Sequence, residues 1–467
     1  MHSASPLVRS LCWCALSLAA HAQSPTPPGE GPALGEERIT QAQVEAGAYS
    51  MGELRRHGLR VFATPFNVHD GFGDGPVDPA APLEFGGRPT LQNNGSFLRV
   101  NGLDAQSCLE CHSIGSAATI PARFAAGGAG LAGTNVLFQP TEIDVIDAAN
   151  NGFAAFDGRF INPPFLFGAG PVELLAKEMT LELAALRAQA QARPGLWVGL
   201  QTKGTSFGEL RVDPATGELD LSRIEGVDED LVVRPFGRKG DNASVRAFAR
   251  AAMQFHFGIQ PTEVVGEGED GDGDGVTDEL LAGELSALHV WATSLRAPVV
   301  QPLDDAAWRG LATFDAIGCT SCHTPVLETR GRRLAYTHPE VEADPSANVF
   351  LEQDLAALEL GLPETPSGGL RVPLFSDMKR HDMGAGLAES HDSPLDSQFL
   401  TARLWGVADT APYLHDGRAT TLTEAIVLHG GEGQASAEAF QALAPAARVD
   451  LLSFLRSLRT PRVTEGG

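Results

Sequence analysis

The chain has no cysteine to spare for a disulfide. Its six cysteines stand at 12, 14, 108, 111, 319 and 322. The first two lie in an N-terminal apolar stretch. The other four form two pairs spaced by two residues, each followed at once by histidine. Long apolar runs are also missing. Beyond Leu11 to Ala20, no stretch reaches the roughly 18 uninterrupted apolar residues that a bilayer-crossing helix needs, so no membrane span is expected. Aromatic residues are scarce at 7%, while 52 Gly and 31 Pro point to many loops around modest helical cores. Positive charge is also short: 34 Lys and Arg stand against 59 Asp and Glu, a net −25. Such a chain repels nucleic acid and anionic membrane surfaces. It suits a small basic partner or an uncharged substrate.

What is present begins with the leader. Arg9 precedes the apolar run, and Ala20-His21-Ala22 has the small-x-small form of a signal-peptidase site. Residues 1–22 read as a signal peptide cleaved after Ala22, followed by a Pro/Gly-rich spacer. The mature chain is therefore expected outside the cytoplasm, in the periplasm. At 43% hydrophobic content, 467 residues can build two or three packed units.

The two cysteine motifs read Cys108-Leu109-Glu110-Cys111-His112 and Cys319-Thr320-Ser321-Cys322-His323. Two thiols on one short turn can add across the vinyl groups of a single haem, and the adjacent histidine then becomes an axial ligand of the iron. A zinc site would gather four thiols in one place, but the pairs lie about 200 residues apart. A redox dithiol has no need of the histidine in both copies. Two covalently bound haem c groups are the reading that uses all ten residues. The expected class is mainly α, with two cytochrome c-like haem domains, 33–300 and 301–467, loop-rich insertions and few strands. Helical spacing marks 174–191, 243–257, 284–295, 304–317, 422–428 and 444–458. In the 304–317 segment the apolar residues are Trp308, Leu311, Ala312 and Phe314, and Gly318 ends it. Residues 196–233 alternate like a small hairpin insertion.

The acidic run Asp270-Gly271-Asp272-Gly273-Asp274-Gly275 has the opening of a calcium loop, with carboxylates at positions 1, 3 and 5 and Gly at 6. Leu281 stands where the closing Glu belongs, leaving Asp278 and Glu279 as further oxygen donors. A calcium site and a plain solvated acidic loop both remain open.

Two CxxCH motifs at this separation resemble the bacterial di-haem cytochrome c peroxidases. Thr410-Ala411-Pro412-Tyr413-Leu414-His415-Asp416-Gly417-Arg418, followed by Thr421-Leu422-Thr423-Glu424-Ala425-Ile426, is similar to the TAPYxHDG…TLxEA segment of that superfamily. Leu374-Phe375-Ser376-Asp377, His381-Asp382-Met383-Gly384 and His429-Gly430-Gly431-Glu432 look like its di-haem oxidoreductase branch, once described as thiol oxidoreductases. The similarity covers about 301–460 well and about 60–180 in patches.

The resemblance implies several roles. The residue fourteen places after the His of HDG, here His429, becomes the second axial ligand of the C-terminal haem, opposite His323. The N-terminal haem, held by His112, is then the open, reactive one. Phe153 to Arg159 resembles the FWDGR segment, with Phe156 in the place of its bridging Trp. Gly170-Pro171-Val172-Glu173 resembles the segment that supplies the distal acid, so Glu173 is the expected catalytic residue and Glu178 the second candidate. Asn135, Thr410 and Pro412 resemble the inter-haem calcium ligands. His256, His381 and His415 read better as core or hydrogen-bonding histidines than as iron ligands. The implied activity is reduction of hydrogen peroxide at the N-terminal haem, with electrons from a small redox protein relayed through the C-terminal bis-His haem. Oxidation of a partner protein's residue, oxidation of an organic substrate, and pure electron transfer are the alternatives.

Overall fold

The computed structural model describes residues 29–73, 105–112, 137–143, 156–389 and 393–461. The leader, Asn135 and Phe153 to Ala155 lie outside the described residues. Ten α-helices are described: α1 (Gln41–Glu45), α2 (Met51–Ala63), α3 (Ala169–Gln191), α4 (Val245–Ala252), α5 (Thr262–Val265), α6 (Ala282–Thr293), α7 (Asp305–Ala316), α8 (Leu422–Val427), α9 (Gln434–Ala442) and α10 (Pro445–Leu455). Helix outweighs strand, and the strands are short. They are more widely spread than expected, with two-stranded ladders at 333–337/349–354, 380–382/398–400 and 327–328/371–372. No described helix is long and apolar enough to cross a membrane.

Local chemistry sets the helix starts. Ser50 accepts from Glu53 N, and the Glu53 carboxylate accepts from Ser50 N, a reciprocal cap that satisfies two otherwise orphaned donors of α2. Thr421 and Glu424 do the same for α8. Asp304 caps α7, and Gly318, at φ 87°, turns the chain out of it. The expected hairpin at 196–233 is a three-stranded antiparallel sheet, β3 (Val198–Thr202), β4 (Thr205–Val212) and β5 (Leu219–Ile224), packed against α3. β1 (Leu137–Ile143) and β2 (Phe156–Ile161) form a separate antiparallel ladder.

The frame repeats. Helix α2 crosses α6, and α7 crosses α10. In each pair a glycine sits at the crossing. A Cβ on Gly58 would lie 2.1 Å from the Ala287 carbonyl oxygen, and one on Gly310 would lie 2.0 Å from that of Asp450. Four residues on, a buried phenylalanine meets the partner helix: Phe62 lies 4.4 Å from the Trp291 ring, and Phe314 lies 5.4 Å from Phe454. The sequence repeats accordingly, Gly58-Leu59-Arg60-Val61-Phe62 against Gly310-Leu311-Ala312-Thr313-Phe314. Trp308, expected on the core face of α7, is 59% exposed, because the buried stripe runs through Ala307, Gly310 and Phe314.

Each crossing anchors its own apolar cluster. One gathers Val61, Phe62, Phe66, Met253, Phe257 and Trp291 around Cys108 and Cys111. The other gathers Phe314, Phe375, Phe440 and Phe454 around Cys319. A third and larger cluster joins residues on both sides of position 300, from Ile39 through α3 and β4 to Tyr336, Leu374 and Trp405.

Candidate haem sites

The second site is built on a single turn of 3-10 helix, Cys319–Ser321, at the end of α7. His323 N donates to Cys319 O at 3.0 Å, which holds the histidine beside the thiols. The imidazole Nδ1 bonds the Phe375 carbonyl oxygen at 3.1 Å. His429, just past α8, bonds the Ala425 carbonyl through its own Nδ1 at 2.7 Å. With both Nδ1 atoms spent as donors, both Nε2 atoms carry lone pairs, the tautomer a metal needs. The two ring centroids stand 6.4 Å apart. Two imidazoles sharing one metal, with bonds of about 2.0 Å and about 1.2 Å from nitrogen to ring centre, would stand about 6.4 Å apart. Burial, then the charge of His429, pushes His323 down to about 4, and burial lowers His429 too. Both are therefore neutral and able to bind a metal near pH 7.

The first site has the same parts. Cys108–Glu110 forms the 3-10 turn, and His112 N donates to Cys108 O at 2.9 Å. His112 Nδ1 bonds the Pro164 carbonyl oxygen at 3.0 Å. That carbonyl lies 52 residues downstream, the same separation as between His323 and Phe375. His112 keeps some contact with solvent, yet its ring is desolvated, and burial followed by the charge of His256 pushes it down to about 4. None of the four cysteines is in a disulfide. Burial pushes the Cys108 thiol up to about 12 and the Cys319 thiol up to about 11. A redox dithiol depends on a lowered thiol pKa, so this environment does not favour one.

The surroundings fit an anionic, apolar-faced group such as haem. Arg403 is a residue that the motifs did not single out. Its guanidinium lies 5.9 Å over the Phe165 ring and 5.8 Å over Phe236, and its Nη1 is buried with no hydrogen-bond partner among the described residues. Burial pulls its pKa down to about 10. A cation so placed lacks an anion, and a propionate would supply one. No spacing signal marks Arg403; only the fold places it among aromatic rings.

His381 is not free to bind iron, as expected. Its Nε2 meets Asp377 at 2.8 Å and its Nδ1 meets Glu432 at 2.7 Å. Burial opposes the charge, but these carboxylates raise His381 to about 11. Asp377, His381 and Cys322 bring their ligand-type atoms within 4.8 Å of one another, so a charged cluster borders the second motif. His415 stacks on Phe399 at 4.4 Å, and burial lowers it to about 4.

The geometry speaks against the proton-carrying role expected of Glu173. Its carboxylate is fully buried and fully engaged. It takes hydrogen bonds from His289 Nε2 at 2.8 Å and Val245 N at 2.9 Å, and pairs with Lys177 Nζ at 2.7 Å. Burial alone would raise its pKa, but His289 and Lys177 outweigh it and hold the group near 2. A carboxylate with three donors is a poor base near neutral pH. What Glu173 does is tie α3 to α6 and to the first residue of α4. Glu178 is likewise occupied, by Lys203 Nζ at 2.5 Å and Arg330 N at 2.8 Å.

Of the expected inter-haem calcium ligands, Thr410 and Pro412 are described and Asn135 is not. The Pro412 carbonyl accepts from Asn162 Nδ2 at 2.8 Å, and Thr410 Oγ1 donates to Val407 O at 3.4 Å. The acidic loop is better assembled. Asp270, Asp272 and Asp274 bring carboxylate oxygens within 4.8 Å of one another, and Asp270 folds the loop by accepting from Gly273 N and Gly275 N. Behind them Glu279 is buried. Burial and the neighbouring aspartates raise it to about 9, although Gln260 N donates to it at 2.7 Å.

The two CxxCH turns are built alike, each with an imidazole aligned by a backbone carbonyl. Residues 366–458 match the family described as "Di-haem oxidoreductase, putative peroxidase". Through this segment the chain is similar to the di-haem oxidoreductases. Among curated proteins it is 32% identical over 158 residues to the cytochrome-c peroxidase IdrP2 of Pseudomonas sp. (strain SCT), over 32% of this chain and 39% of that one. The match thus spans about two fifths of the relative's length. Among solved structures, a MauG-like protein associated with microbial copper homeostasis overlaps 63% of this chain and 89% of its own, at 16% identity and a TM-score of 0.24. Hydrazine synthase of Kuenenia stuttgartiensis overlaps 38% and 55%, at 19% identity and 0.23. Scores of this size carry no weight for the fold.

Proposed function

We propose that this chain is a periplasmic di-haem c-type oxidoreductase that reduces hydrogen peroxide at its N-terminal site, with electrons relayed through its C-terminal bis-His site. The observation that carries this reading is the facing pair His323 and His429, whose ring separation of 6.4 Å suits one shared iron. Cys319 and Cys322 would hold one haem, and Cys108 and Cys111 the other. Haem supplies one-electron redox chemistry and, where an axial position is free, a place for peroxide to bind.

The chain's own residues do the rest. His112 and His323 keep their rings oriented through Pro164 O and Phe375 O, which also makes them stronger ligands. Arg403 meets propionate charge. The two units proposed for haem binding are 33–300 and 301–467, after a leader of 1–22. The net charge of −25 favours a small basic redox protein as electron donor. The Asp270, Asp272 and Asp274 loop, backed by Glu279, is proposed to take calcium.

The test is direct. Purified, exported chain should carry two haems by mass and by haemochrome absorbance, and peroxide should oxidise its reduced form within the mixing time of a stopped-flow experiment. Two haems with no reaction toward peroxide would leave the second reading, a pure electron carrier.

A further inference from the structure

Three strings of the C-terminal half meet at one place. The first, Leu374-Phe375-Ser376-Asp377, lies against the second motif. Phe375 O takes the Nδ1 hydrogen bond of His323 at 3.1 Å, and Asp377 N donates to Cys322 O at 2.9 Å. Phe375 and Met378 hold left-handed backbone, at φ 53° and 61°, which such residues adopt only where their surroundings impose it. Here the Ser376 hydroxyl donates to Thr401 O at 2.8 Å. Asp377 Oδ1 accepts from Thr401 Oγ1 at 2.7 Å and from Lys379 N at 3.0 Å.

The third string, His429-Gly430-Gly431-Glu432, lies flat on the second, His381-Asp382-Met383-Gly384. Its glycines permit the approach. A Cβ on Gly430 would lie 2.8 Å from Met383 O, and one on Gly431 would lie 2.2 Å from Asp382 O. Glu432 then reaches back. Its Oε1 accepts from Asp382 N at 2.9 Å, and its Oε2 meets His381 Nδ1 at 2.7 Å. The other ring nitrogen of His381 meets Asp377 Oδ2 at 2.8 Å. A histidine that donates from both nitrogens to carboxylates is an imidazolium. His381 and Asp377 are both buried, and a cation so far out of water keeps its place only with its anions beside it. His381 therefore ties Asp377, on the side of His323, to Glu432, three residues past His429. The other support of His429 is the Ala425 carbonyl of α8, a helix of six residues of which only Ala425 is buried. That helix alone is a weak anchor for a ligand.

We propose that His381 is a positioning residue that keeps His429 on the second iron, by clamping the turn after His429 to the segment that orients His323. This rests on the reading that Cys319 and Cys322 carry haem with His323 and His429 as axial ligands. One ion-paired side chain then joins the supports of both ligands, so neither imidazole moves away alone. Hydrogen-bonded groups behind a ligand govern how firmly it holds a metal.

The test uses the haem-loaded chain and reads the second iron directly. Glu432 is half-exposed, so Glu432→Ala opens the clamp with little cost to the fold. In the reduced protein, carbon monoxide should displace His429 about tenfold faster or more in Glu432→Ala than in wild type. The oxidised variant should also lose part of the C-terminal low-spin EPR signal to a high-spin one. Glu432→Gln, which keeps the side-chain length, should lie between the two. His381→Gln should match or exceed Glu432→Ala, and Glu432→Ala decides by itself if His381→Gln does not fold. A Glu432→Ala chain with wild-type carbon monoxide uptake and an unchanged EPR signal would overturn the proposal, even if its melting temperature fell. Peptide mass showing no haem at Cys319 and Cys322, or a His429→Gly spectrum identical to wild type, would instead remove the underlying reading and this proposal with it.

Discussion

Around Cys319, the crossing helix, attachment turn, second histidine and closing helix follow one another from Asp305 to Leu455. Around Cys108, a crossing helix, a 3-10 turn and a closing helix are spread from Met51 to Thr293, with α3, the β3-β4-β5 sheet and an acidic loop inserted between them. The polar surroundings differ as well. The second motif is bordered by the charged trio Asp377, His381 and Glu432. In the first half, the buried polar groups Glu173, Lys177 and His289 pin helices together. A packing frame can thus be kept while its insertions change how a site is held. The crossing depends only on two helices, one glycine and one aromatic residue, so chain length between them is free to grow.

The comparison can be broken most severely at the thiols. Replacing Cys319 and Cys322 by Ser should leave one haem per chain by mass, as should the same change at Cys108 and Cys111. Retention of two covalently held haems in either variant would refute the assignment. Next in size are the crossings. Gly58→Val and Gly310→Val each force a side chain into a backbone carbonyl and should each cost about 3 kcal/mol or more, read from denaturant melts. A large loss at one glycine and none at the other would show that the frame does not repeat.

His429→Gly should convert the C-terminal low-spin signal to high-spin while leaving the N-terminal signal unchanged. An unaltered spectrum would assign that position to another residue.

Glu173 offers a pH test. Its pKa is lowered from 4.5 to about 2 in the fold, so the unfolded chain takes up the proton first as pH falls. The stabilisation is complete above about 5 and is lost as pH drops through about 2; on the order of 3 kcal/mol is at stake. Glu173→Gln should therefore be clearly less stable at pH 7, and the gap should narrow below about pH 4. Its peroxide rate, measured at equal haem content, should stay near wild type. A rate lowered a hundredfold or more would restore the acid–base role.

The smallest effect concerns the acidic loop. Calcium should raise the melting temperature by a few degrees, and Asp270→Asn should abolish the shift. Equal melting with calcium and with chelator would leave a solvated loop.

Helices α3, α4, α6, α7, α8 and α10 were legible from residue spacing, because buried stripes and caps such as Asp304 and Thr421 are local signals; α2, capped by Ser50, was not expected. The α7 stripe was misjudged at Trp308, because the crossing demands small residues, Ala307 and Gly310, where a hydrophobic pattern favours large ones. The shared Gly-Leu-x-x-Phe string could have revealed the repeat in advance, but two matched residues at each crossing stand out only once the crossings are seen. Arg403 and the knot around Glu173 left no trace in spacing, since their partners lie far away along the chain.

The cysteine and histidine motifs mark by themselves where two haems are proposed to attach, because the chain's share of that chemistry is two thiols and a histidine within five adjacent residues. Which histidine faces His323 was decided by tertiary structure: His429 lies far along the chain and comes opposite it only when the end of α8 packs against the turn after α7.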